Sequence, residues 1–464
     1  MPHHVTDNVA LATAYARVVL GFLRDTPSGE PLYIVELGAG CGRFAFLFLR
    51  ALEAIHRSLR VRYVMTDVAE TTIGFWRDHQ AFTPFVRAGR LDFARFDADR
   101  DRVLRLERER RTIGPATPAA RIVVIANYVF GGLRQDAFAV RAGRMHEYLV
   151  AARPRRNAAD VSLAWRMGAR ATAPYADDDF NAILRDYSRV GVAGHLLFPV
   201  GALRSLDRVA ALARDSLLVL AADRGTAEAA EAVSGAVDLE AARHGALSFP
   251  VSFHALRRWV IRRGGAALRP PHAHRHLYVG GFVLGPRARA WRHTRLAYEK
   301  AMASGGPDAR YGERRDLSTM AEPRPPRALM ALIRRCGPDP RVVAECVRPL
   351  WPHLIDAGAR LRRDIRDAVL GAWSNYFHVG EPRDMPFDLA LVLYGVRAYA
   401  DARELFEASV RLYGDDAATY WNLGLCHVAL GRPREAEASF RRAGALAPDL
   451  NPAGLVTVKV GLRR

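Results

Sequence analysis

The stretch "LYIVELGAGCGRFAFLFLRAL", residues 32–52, decides the fold of this protein. A short apolar run ends at Glu36, three glycines follow at alternate positions, and an apolar run with helical periodicity comes next. A strand, a tight turn and a helix in this order predict the first unit of a sheet covered by helices. Glycine is required where a ligand must approach the backbone closely. The stretch therefore predicts a ligand site in the turn.

Six more apolar runs extend the predicted sheet. They are residues 61–67, 90–97, 121–127, 216–223, 266–270 and 276–285. Helical patterns separate the first five strands, which is typical of a parallel sheet with both faces covered. Only the short segment "PHAHR" separates the last two strands, so they should pair antiparallel as a hairpin. The prediction is an α/β fold with a seven-stranded sheet over residues 1–285, with residues 8–24 as a first helix covering the sheet.

The C-terminal part of the chain is predicted to be helical. Residues 286–326 are rich in charge, glycine and proline, which predicts a linker, and residues 327–464 follow as an all-α domain. The spacing of Gly424, Ala436 and Phe440 resembles the tetratricopeptide repeat. Two repeat-like units are predicted, at about 386–415 and 417–449, and the helices at 327–377 should complete the stack. Such repeats usually bind proteins, so a protein partner or substrate is expected there.

Bulk composition narrows the function classes. The 464 residues carry a formal net charge of +19, almost all of it from scattered arginines, which does not favour a nucleic-acid partner but does not exclude one. The four cysteines form no CxxC pair, so we expect no zinc site and no other metal site, no disulfide framework and a cytoplasmic location. No apolar run reaches the roughly 18 residues that span a bilayer. The oligomeric state is left open.

The spacing of the glycines separates two nucleotide ligands. A NAD-binding turn has the pattern G-x-G-x-x-G, but the sixth position from Gly38 is Arg43. The pattern from Glu36 is instead acidic-x-G-x-G-x-G, with glycines at 38, 40 and 42. It resembles the first motif of class I methyltransferases, which have a Rossmann-like fold and use S-adenosyl-L-methionine (SAM). The resemblance implies that Gly38, Gly40 and Gly42 bring backbone against SAM.

Polar residues at successive strand ends fit that ligand. Glu36 can balance the cationic groups of SAM, and Asp67 can accept hydrogen bonds from both ribose hydroxyls. Asp97 could receive the adenine amino group, and Asn127 ends the strand that faces the methyl donor in this architecture. Carboxyl ends of parallel strands are where such sheets bind ligands. The alternative for each residue is a helix cap, which aspartate and asparagine favour.

Further stretches are similar to one branch of these enzymes, the MidA-like proteins and the mitochondrial complex I assembly factor methyltransferase. They are "NYVFGGLRQDAF" at 127–138, Asp223-Arg224-Gly225, and "PVSF" at 250–253. The resemblance implies methylation of an arginine on a partner protein, with Asn127, Asp136 and Asp223 as candidate catalytic residues. Gly131 and Ser252 stand where the family carries carboxylates. Those departures leave open another acceptor.

Other functions remain open at this stage. One is a SAM-binding scaffold or assembly factor with little catalysis, and another is an RNA or small-molecule methyltransferase. The absence of an Asn-Pro-Pro-aromatic motif after the fourth strand counts against methylation of base amines. The acidic stretch "YADDDF", 175–180, either steers a cationic peptide or caps a helix, and His254 either faces an acceptor or caps a helix.

Overall fold

A computed structural model describes residues 3–56, 59–154, 161–233, 248–272, 277–286, 291–303, 306, 325–354 and 356–448. The chain forms two compact units, Met1–Tyr311 and Gly312–Arg464. Each unit is described by itself below.

The strands of the first unit form two main sheets and two short ribbons. Their bounds are β1 Leu32–Glu36, β2 Val61–Asp67, β3 Leu91–Arg95, β4 Leu104–Arg105, β5 Thr112–Ile113, β6 Ala119–Asn127, β7 Asp136–Arg141, β8 Arg144–Pro154, β9 Val161–Arg170, β10 Gly194–Phe198, β11 Ala213–Asp223, β12 Gly225–Thr226, β13 Val251–Ser252, β14 Ala266–Leu268 and β15 Tyr278–Leu284. The larger sheet has seven strands in the order β14-β15-β11-β6-β1-β2-β3.

The predicted seven-stranded sheet is confirmed. Strands β3, β2, β1, β6 and β11 pair in parallel, and β15 pairs antiparallel with both β11 and β14. All five residues of β1 are buried, as expected for a central strand covered on both faces. The parallel strands place the ends of β1, β2, β6 and β11 at one edge of the sheet. Glu36, Asp67, Asn127 and Asp223 therefore lie along that edge.

Helices cover the larger sheet and complete the first unit. Their bounds are α1 His3–Thr6, α2 Val9–Asp25, α3 Arg43–Ile55, α4 Glu70–Asp78, α5 Thr83–Arg87, α6 Asp178–Ser188, α7 Val200–Ala210, α8 Ala229–Ala232, α9 Phe253–Arg262 and α10 Arg292–Met302, with 3-10 turns at Gln80–Phe82 and Phe130–Gly132. Helix α3 packs its aromatic residues inward: Phe48 lies 5.3 Å from Tyr63 between ring centroids, and Phe44 lies 5.6 Å from Tyr15 of α2. These contacts hold α2 beside the turn that precedes α3.

The predicted linker at 286–326 differs from the structure over residues 291–303. Trp291 is buried and stacks on Phe22 of α2, with ring centroids 5.5 Å apart. The Asp25 carboxylate accepts hydrogen bonds from the Thr294 backbone N–H at 2.8 Å and from its hydroxyl at 2.7 Å. These long-range contacts make α10 part of the first unit. The sequence did not predict these contacts, because the charged composition of the segment is typical of a linker.

The smaller sheet was not predicted. It has four antiparallel strands in the order β10-β7-β8-β9 and lies within the segment between β6 and β11. Many side chains of β8 and β9 are exposed, so these strands lack the apolar run that identified the strands of the larger sheet.

The second unit is helical over its described residues. Its helices are α11 Pro326–Cys336, α12 Pro340–Leu354, α13 Ala359–Ser374, α14 Met385–Gly395, α15 Tyr399–Tyr413, α16 Ala417–Ala429 and α17 Pro433–Leu446. One apolar core runs through all but the last of them and includes Leu389, Ala402 and Phe406, which lie within the first predicted unit, 386–415. At Gly424 a Cβ atom would lie 2.4 Å from the Phe440 ring, so the close approach of α16 and α17 requires glycine at this position.

We predict that Gly424→Val destabilises the full-length chain by about 1–3 kcal/mol, because the added methyl groups must displace Phe440. The matched control is Gly444→Ala on α17, where a Cβ atom has no neighbour within 4 Å. This control should be neutral or stabilising by about 0.5–1 kcal/mol. Thermal unfolding followed by circular dichroism measures both changes. Equal midpoints for the two variants would contradict the close helix contact.

Candidate functional site

The glycine turn after β1 has a backbone that other residues rarely adopt. The φ angles are 60° at Gly38, 54° at Gly40 and 82° at Gly42. At Gly42 a Cβ atom would lie 2.7 Å from Met65 Cε and 2.8 Å from Phe82 Cζ, so packing alone requires glycine there. At Gly40 a Cβ atom would meet no atom within 4 Å. The turn therefore presents bare backbone to open space at Gly40.

Three hydrogen bonds fix this turn. The indole N–H of Trp76, a buried residue of α4, donates to the Gly40 carbonyl at 2.8 Å. The backbone N–H of Ala39 donates to the Thr66 carbonyl, and that of Leu37 donates to the Ile125 carbonyl, both at 2.9 Å. The turn is thus tied to both strands that flank β1. Its shape is set before any ligand arrives.

The carboxyl group of Glu36 is buried below the turn, with 4% of the residue exposed. It accepts a hydrogen bond from the Tyr63 hydroxyl at 2.9 Å. Burial raises the pKa of Glu36 to about 8, the Tyr63 bond opposes this rise, and the negative charges of Asp7 and Asp67 add to it. Among the described residues, no arginine forms an ion pair with Glu36. A cationic ligand group would supply the missing positive charge.

Two aspartates follow the next strands at the same edge. Asp67 ends β2, and its Oδ1 accepts the backbone N–H of Ala69 at 3.1 Å. Asp97 lies two residues after the end of β3, and its Oδ1 accepts the backbone N–H of Asp99 at 2.9 Å. Its Oδ2 lies 3.8 Å from the Arg100 guanidinium. Each side chain stabilises a turn with one carboxylate oxygen, but neither is the N-cap of a described helix, so the structure does not show the helix-cap alternative for these two residues.

Asn127 ends β6, and its side chain points to α2. Its Oδ1 accepts a hydrogen bond from the Tyr15 hydroxyl at 3.1 Å. Its Nδ2 is buried and has no hydrogen-bond partner within the described part of the chain. A buried amide donor of this kind is uncommon in folded proteins and marks a place where a ligand acceptor would fit.

The N-terminal segment contributes residues that the sequence did not point to. Asp7 lies between α1 and α2, 3.7 Å from the Arg43 guanidinium at the start of α3 and 4.0 Å from Cys41 Sγ. Burial, with a further contribution from Asp7, raises the pKa of Cys41 to about 11, so this cysteine is not an activated thiol. The contacts of Asp7 and Tyr15 show that the segment 3–25 covers one side of the glycine turn.

Asp223 lies at the same edge of the larger sheet, and both of its carboxylate oxygens accept backbone hydrogen bonds. Its Oδ2 accepts the backbone N–H of Gly131 at 2.8 Å, and its Oδ1 accepts that of Arg224 at 2.9 Å. Burial raises the pKa of Asp223 to about 7, although these backbone bonds oppose the rise. A Cβ atom on Gly131 would lie 2.7 Å from the Phe249 carbonyl oxygen, so no side chain fits there. The geometry gives Asp223 a positioning role for the turn after β6.

Asp136, at the start of β7, remains partly accessible, with 25% of its side chain exposed. Its Oδ2 accepts the Tyr175 hydroxyl at 3.0 Å, and its Oδ1 lies 3.1 Å from Nε of Arg134. The structure does not place Asp136 at a strand end of the larger sheet, unlike the other predicted catalytic residues. It lies where the smaller sheet begins.

A buried polar chain surrounds Ser252. The Ser252 and Tyr187 hydroxyls lie 2.7 Å apart, and Tyr187 lies 3.1 Å from Nδ1 of His254. Burial and the charge of Arg257 lower the pKa of His254 to about 4, so the imidazole is neutral at neutral pH. Ser252 also caps α9 by accepting the backbone N–H of Ala255. These hydrogen-bonded side chains connect α6 to the start of α9.

Two aspartates of the acidic stretch 175–180 form hydrogen bonds or ion pairs within the first unit. Asp177 caps α6 by accepting the backbone N–H groups of Asp179 and Phe180. Asp179 forms ion pairs with Arg262 and Arg263 at 2.6 and 3.2 Å. Only Asp178 of the three is exposed without such contacts in the described structure. These pairings favour the capping alternative over a steering role.

Two kinds of site are not found within the described residues. No group of three or more histidine, cysteine, aspartate or glutamate side chains is arranged to hold a metal ion there. No helix in the same part of the chain combines the length and apolar character needed to cross a membrane.

Comparison with known proteins identifies the repeat region. Residues 385–449 match the sequence model of the tetratricopeptide repeat, which confirms the predicted repeats. No curated protein matches the sequence of this chain.

Solved structures share a low overall similarity with this chain. One is an uncharacterised protein from Burkholderia thailandensis, with 16% identity, a TM-score of 0.36, and coverage of 58% of this chain and 66% of that chain. Another of the same superfamily and organism, bound to S-adenosyl-homocysteine, has 17% identity, a TM-score of 0.37, and coverage of 56% and 62%. An O-methyltransferase family protein from that organism has 13% identity, a TM-score of 0.28, and coverage of 59% and 57%. The chain spans less than two thirds of the length of each.

We predict that Glu36→Gln is more stable than the wild type at high pH. The folded pKa of Glu36, about 8, lies above its ordinary value of 4.5. Native protein keeps a proton that the unfolded chain releases, so this stabilising contribution is complete below pH 4.5 and is lost as pH rises through 8. The wild type should lose on the order of 4 kcal/mol relative to Glu36→Gln across that range, as an upper bound.

Urea midpoints of both proteins at pH 5 and pH 8.5 measure this difference. Glutamine keeps the shape of the side chain and an oxygen for Tyr63. Parallel pH dependence of the two proteins would show that the Glu36 carboxyl is not held in the buried, protonated state.

Proposed function

We propose that the first unit is a SAM-dependent methyltransferase that binds its cofactor at the glycine turn. The observation that carries this proposal is the open space above Gly40, flanked by Glu36, Asp67 and Asn127 at one edge of the sheet. Backbone without a side chain allows a bulky nucleoside to approach closely. Carboxyl ends of parallel strands are the usual place for such ligands.

Charge distinguishes SAM from a dinucleotide. A pyrophosphate would lie against the buried Glu36 carboxyl, and the Arg43 guanidinium at the helix start already faces Asp7. An anion beside Glu36 would hold its carboxyl group in the neutral form, whereas the ammonium and sulfonium groups of SAM would stabilise the ionised form and be bound by it. This argument agrees with the G-x-G-x-G spacing.

Each polar group of the site has a role in this proposal. Glu36 would face the cationic part of the cofactor, and the second carboxylate oxygen of Asp67 would accept the ribose hydroxyls. The buried Nδ2 of Asn127 would donate a hydrogen bond to the ligand. Asp97 is the proposed partner of the adenine amino group. When bound, SAM supplies a methyl group on a sulfonium that needs no further activation.

The acceptor is proposed to be a protein side chain, with arginine as the acceptor that the family resemblance implies. Asp136 is the partly exposed carboxylate available to orient it, and Tyr175 holds that carboxylate in place. Asp223 would act indirectly by fixing the turn at Gly131. Asn127 would lie between cofactor and acceptor. Positioning of this kind can supply several kcal/mol of the barrier to transfer.

The second unit is proposed to recruit the protein partner of a cytoplasmic enzyme. Tetratricopeptide repeats stack helix pairs into concave surfaces that bind peptides.

A SAM-binding scaffold is the second candidate function. It is favoured by the contacts of Asp223, whose two oxygens both accept backbone N–H groups, and by Gly131, where no carboxylate fits. A site with one accessible carboxylate is poorly equipped to deprotonate a guanidinium.

We predict that Gly40→Val abolishes SAM binding, because its side chain would occupy the space above the turn. Isothermal titration with SAM and S-adenosyl-homocysteine measures this. Gly89→Val is the matched control: its φ of 64° imposes similar backbone strain, and it precedes β3 at the other edge of the sheet. The control should lose stability but keep its affinity. Retained affinity in Gly40→Val would refute the assigned site.

Transfer of a labelled methyl group from SAM into a cell lysate separates the two functions. Label that is sensitive to protease supports the proposed protein methyltransferase, and label that is sensitive to nuclease indicates an RNA acceptor. Tight SAM binding without transferred label would favour the scaffold.

A further inference from the structure

In the described part of the chain, the outer edge of the smaller sheet is a long strand that pairs on one side only. Strand β9, Val161–Arg170, pairs with β8 on one side, and no described strand pairs with it on the other. An edge strand presents a row of unpaired backbone N–H and C=O groups, which is a template for another strand. Residues 164–170 are exposed or half-buried, so no part of the described chain covers this edge.

One face of this edge is apolar and exposed. Tyr148 pairs with Met167 and Val150 pairs with Trp165, so these four side chains share a face. Val150 is 53% exposed and Met167 is 51% exposed. Apolar side chains clustered in this way on an open sheet are typical of protein contact surfaces.

The same edge carries positive charge that the fold does not neutralise. Arg166 and Arg170 of β9 are exposed, as are Arg141 and Arg144 in the β7–β8 hairpin of the same sheet, and within the described residues none of the four forms an ion pair with a carboxylate. Elsewhere in this unit the arginines of α9 are paired, as in Arg258 with Asp186 at 2.7 Å. The positive charge of the arginines around β9 is therefore available to acidic groups of a partner.

We propose that the β9 edge binds an extended, acidic segment of a partner protein by strand addition. The backbone of the segment would pair with β9, alternate side chains would pack on Val150, Trp165 and Met167, and acidic side chains would pair with Arg166 and Arg170. Main-chain hydrogen bonds supply affinity in this mode of recognition, and alternate side chains supply specificity.

Two other occupants fit the surface less well. Stacking of nucleic-acid bases needs free aromatic faces, but Tyr148 lies between Trp165 and His195, with ring centroids 5.1 and 4.3 Å away. A second copy of this chain would add a second set of exposed arginines at the same edge and no acidic partners for them, and bringing like charges together is destabilising.

This inference goes beyond the proposed methyl transfer. Its failure would leave SAM binding at the glycine turn unchanged, and the loss of SAM binding in Gly40→Val would leave the β9 edge intact.

The test uses the full-length chain and a fluorescent decapeptide of alternating glutamate and valine, with binding measured by anisotropy. We expect saturable binding that weakens with salt. Three probes serve as controls: the same peptide with lysine for glutamate, the same peptide N-methylated at alternate backbone nitrogens, and an oligouridine 12-mer. The first two controls should bind at least ten-fold more weakly, because one reverses the charge and the other blocks strand pairing.

The variant R166E/R170E should bind the glutamate peptide at least ten-fold more weakly than the wild type does. Its affinity for SAM should be unchanged, and this unchanged affinity would also show that the variant is folded. The variant R105E/R108E, which reverses two exposed arginines on and after β4, is the matched control and should bind the peptide as the wild type does. The proposal is overturned if the glutamate peptide shows no saturable binding, if the N-methylated peptide binds equally well, or if oligouridine binds more tightly.

Discussion

The buried carboxyl of Glu36 below a turn of bare backbone is the constraint on which the rest of the site depends. A carboxyl group removed from water resists ionisation, and burial here raises the pKa of Glu36 to about 8, although the hydrogen bond from the Tyr63 hydroxyl opposes the rise. In the free protein Glu36 is thus more stable as a neutral acid, whereas a cationic ligand would be bound better by its carboxylate anion. A cationic ligand would resolve this conflict, as expected for a site whose residues are selected for binding rather than stability.

The surrounding structure holds the glycine turn above Glu36 in place from three directions. Trp76 fixes the Gly40 carbonyl, the flanking strands hold Ala39 and Leu37, and the N-terminal segment closes the side with Asp7 and Tyr15. Support of this kind favours affinity, because a turn that is already held in place loses little conformational freedom when a ligand binds.

The sequence predicted the larger sheet well and the smaller sheet not at all, for a physical reason. Strands β1 and β2 are buried on both faces, so their apolar runs and terminal acids marked them within a residue. Strands β8 and β9 expose many side chains and carry arginines, so they lack that signal. Contacts such as Tyr15 with Asn127 and Trp291 with Phe22 join residues more than 100 positions apart, and no local pattern reports them.

The central claim is that Glu36 gives up a proton to meet the cationic cofactor. Calorimetric titration with SAM at pH 7, in buffers that differ in ionisation enthalpy, counts protons released on binding. A group with a pKa of about 8 is mostly protonated at that pH, so the wild type should release close to one proton and Glu36→Gln should bind much more weakly. Binding without proton release, with equal affinity in Glu36→Gln, would contradict the account.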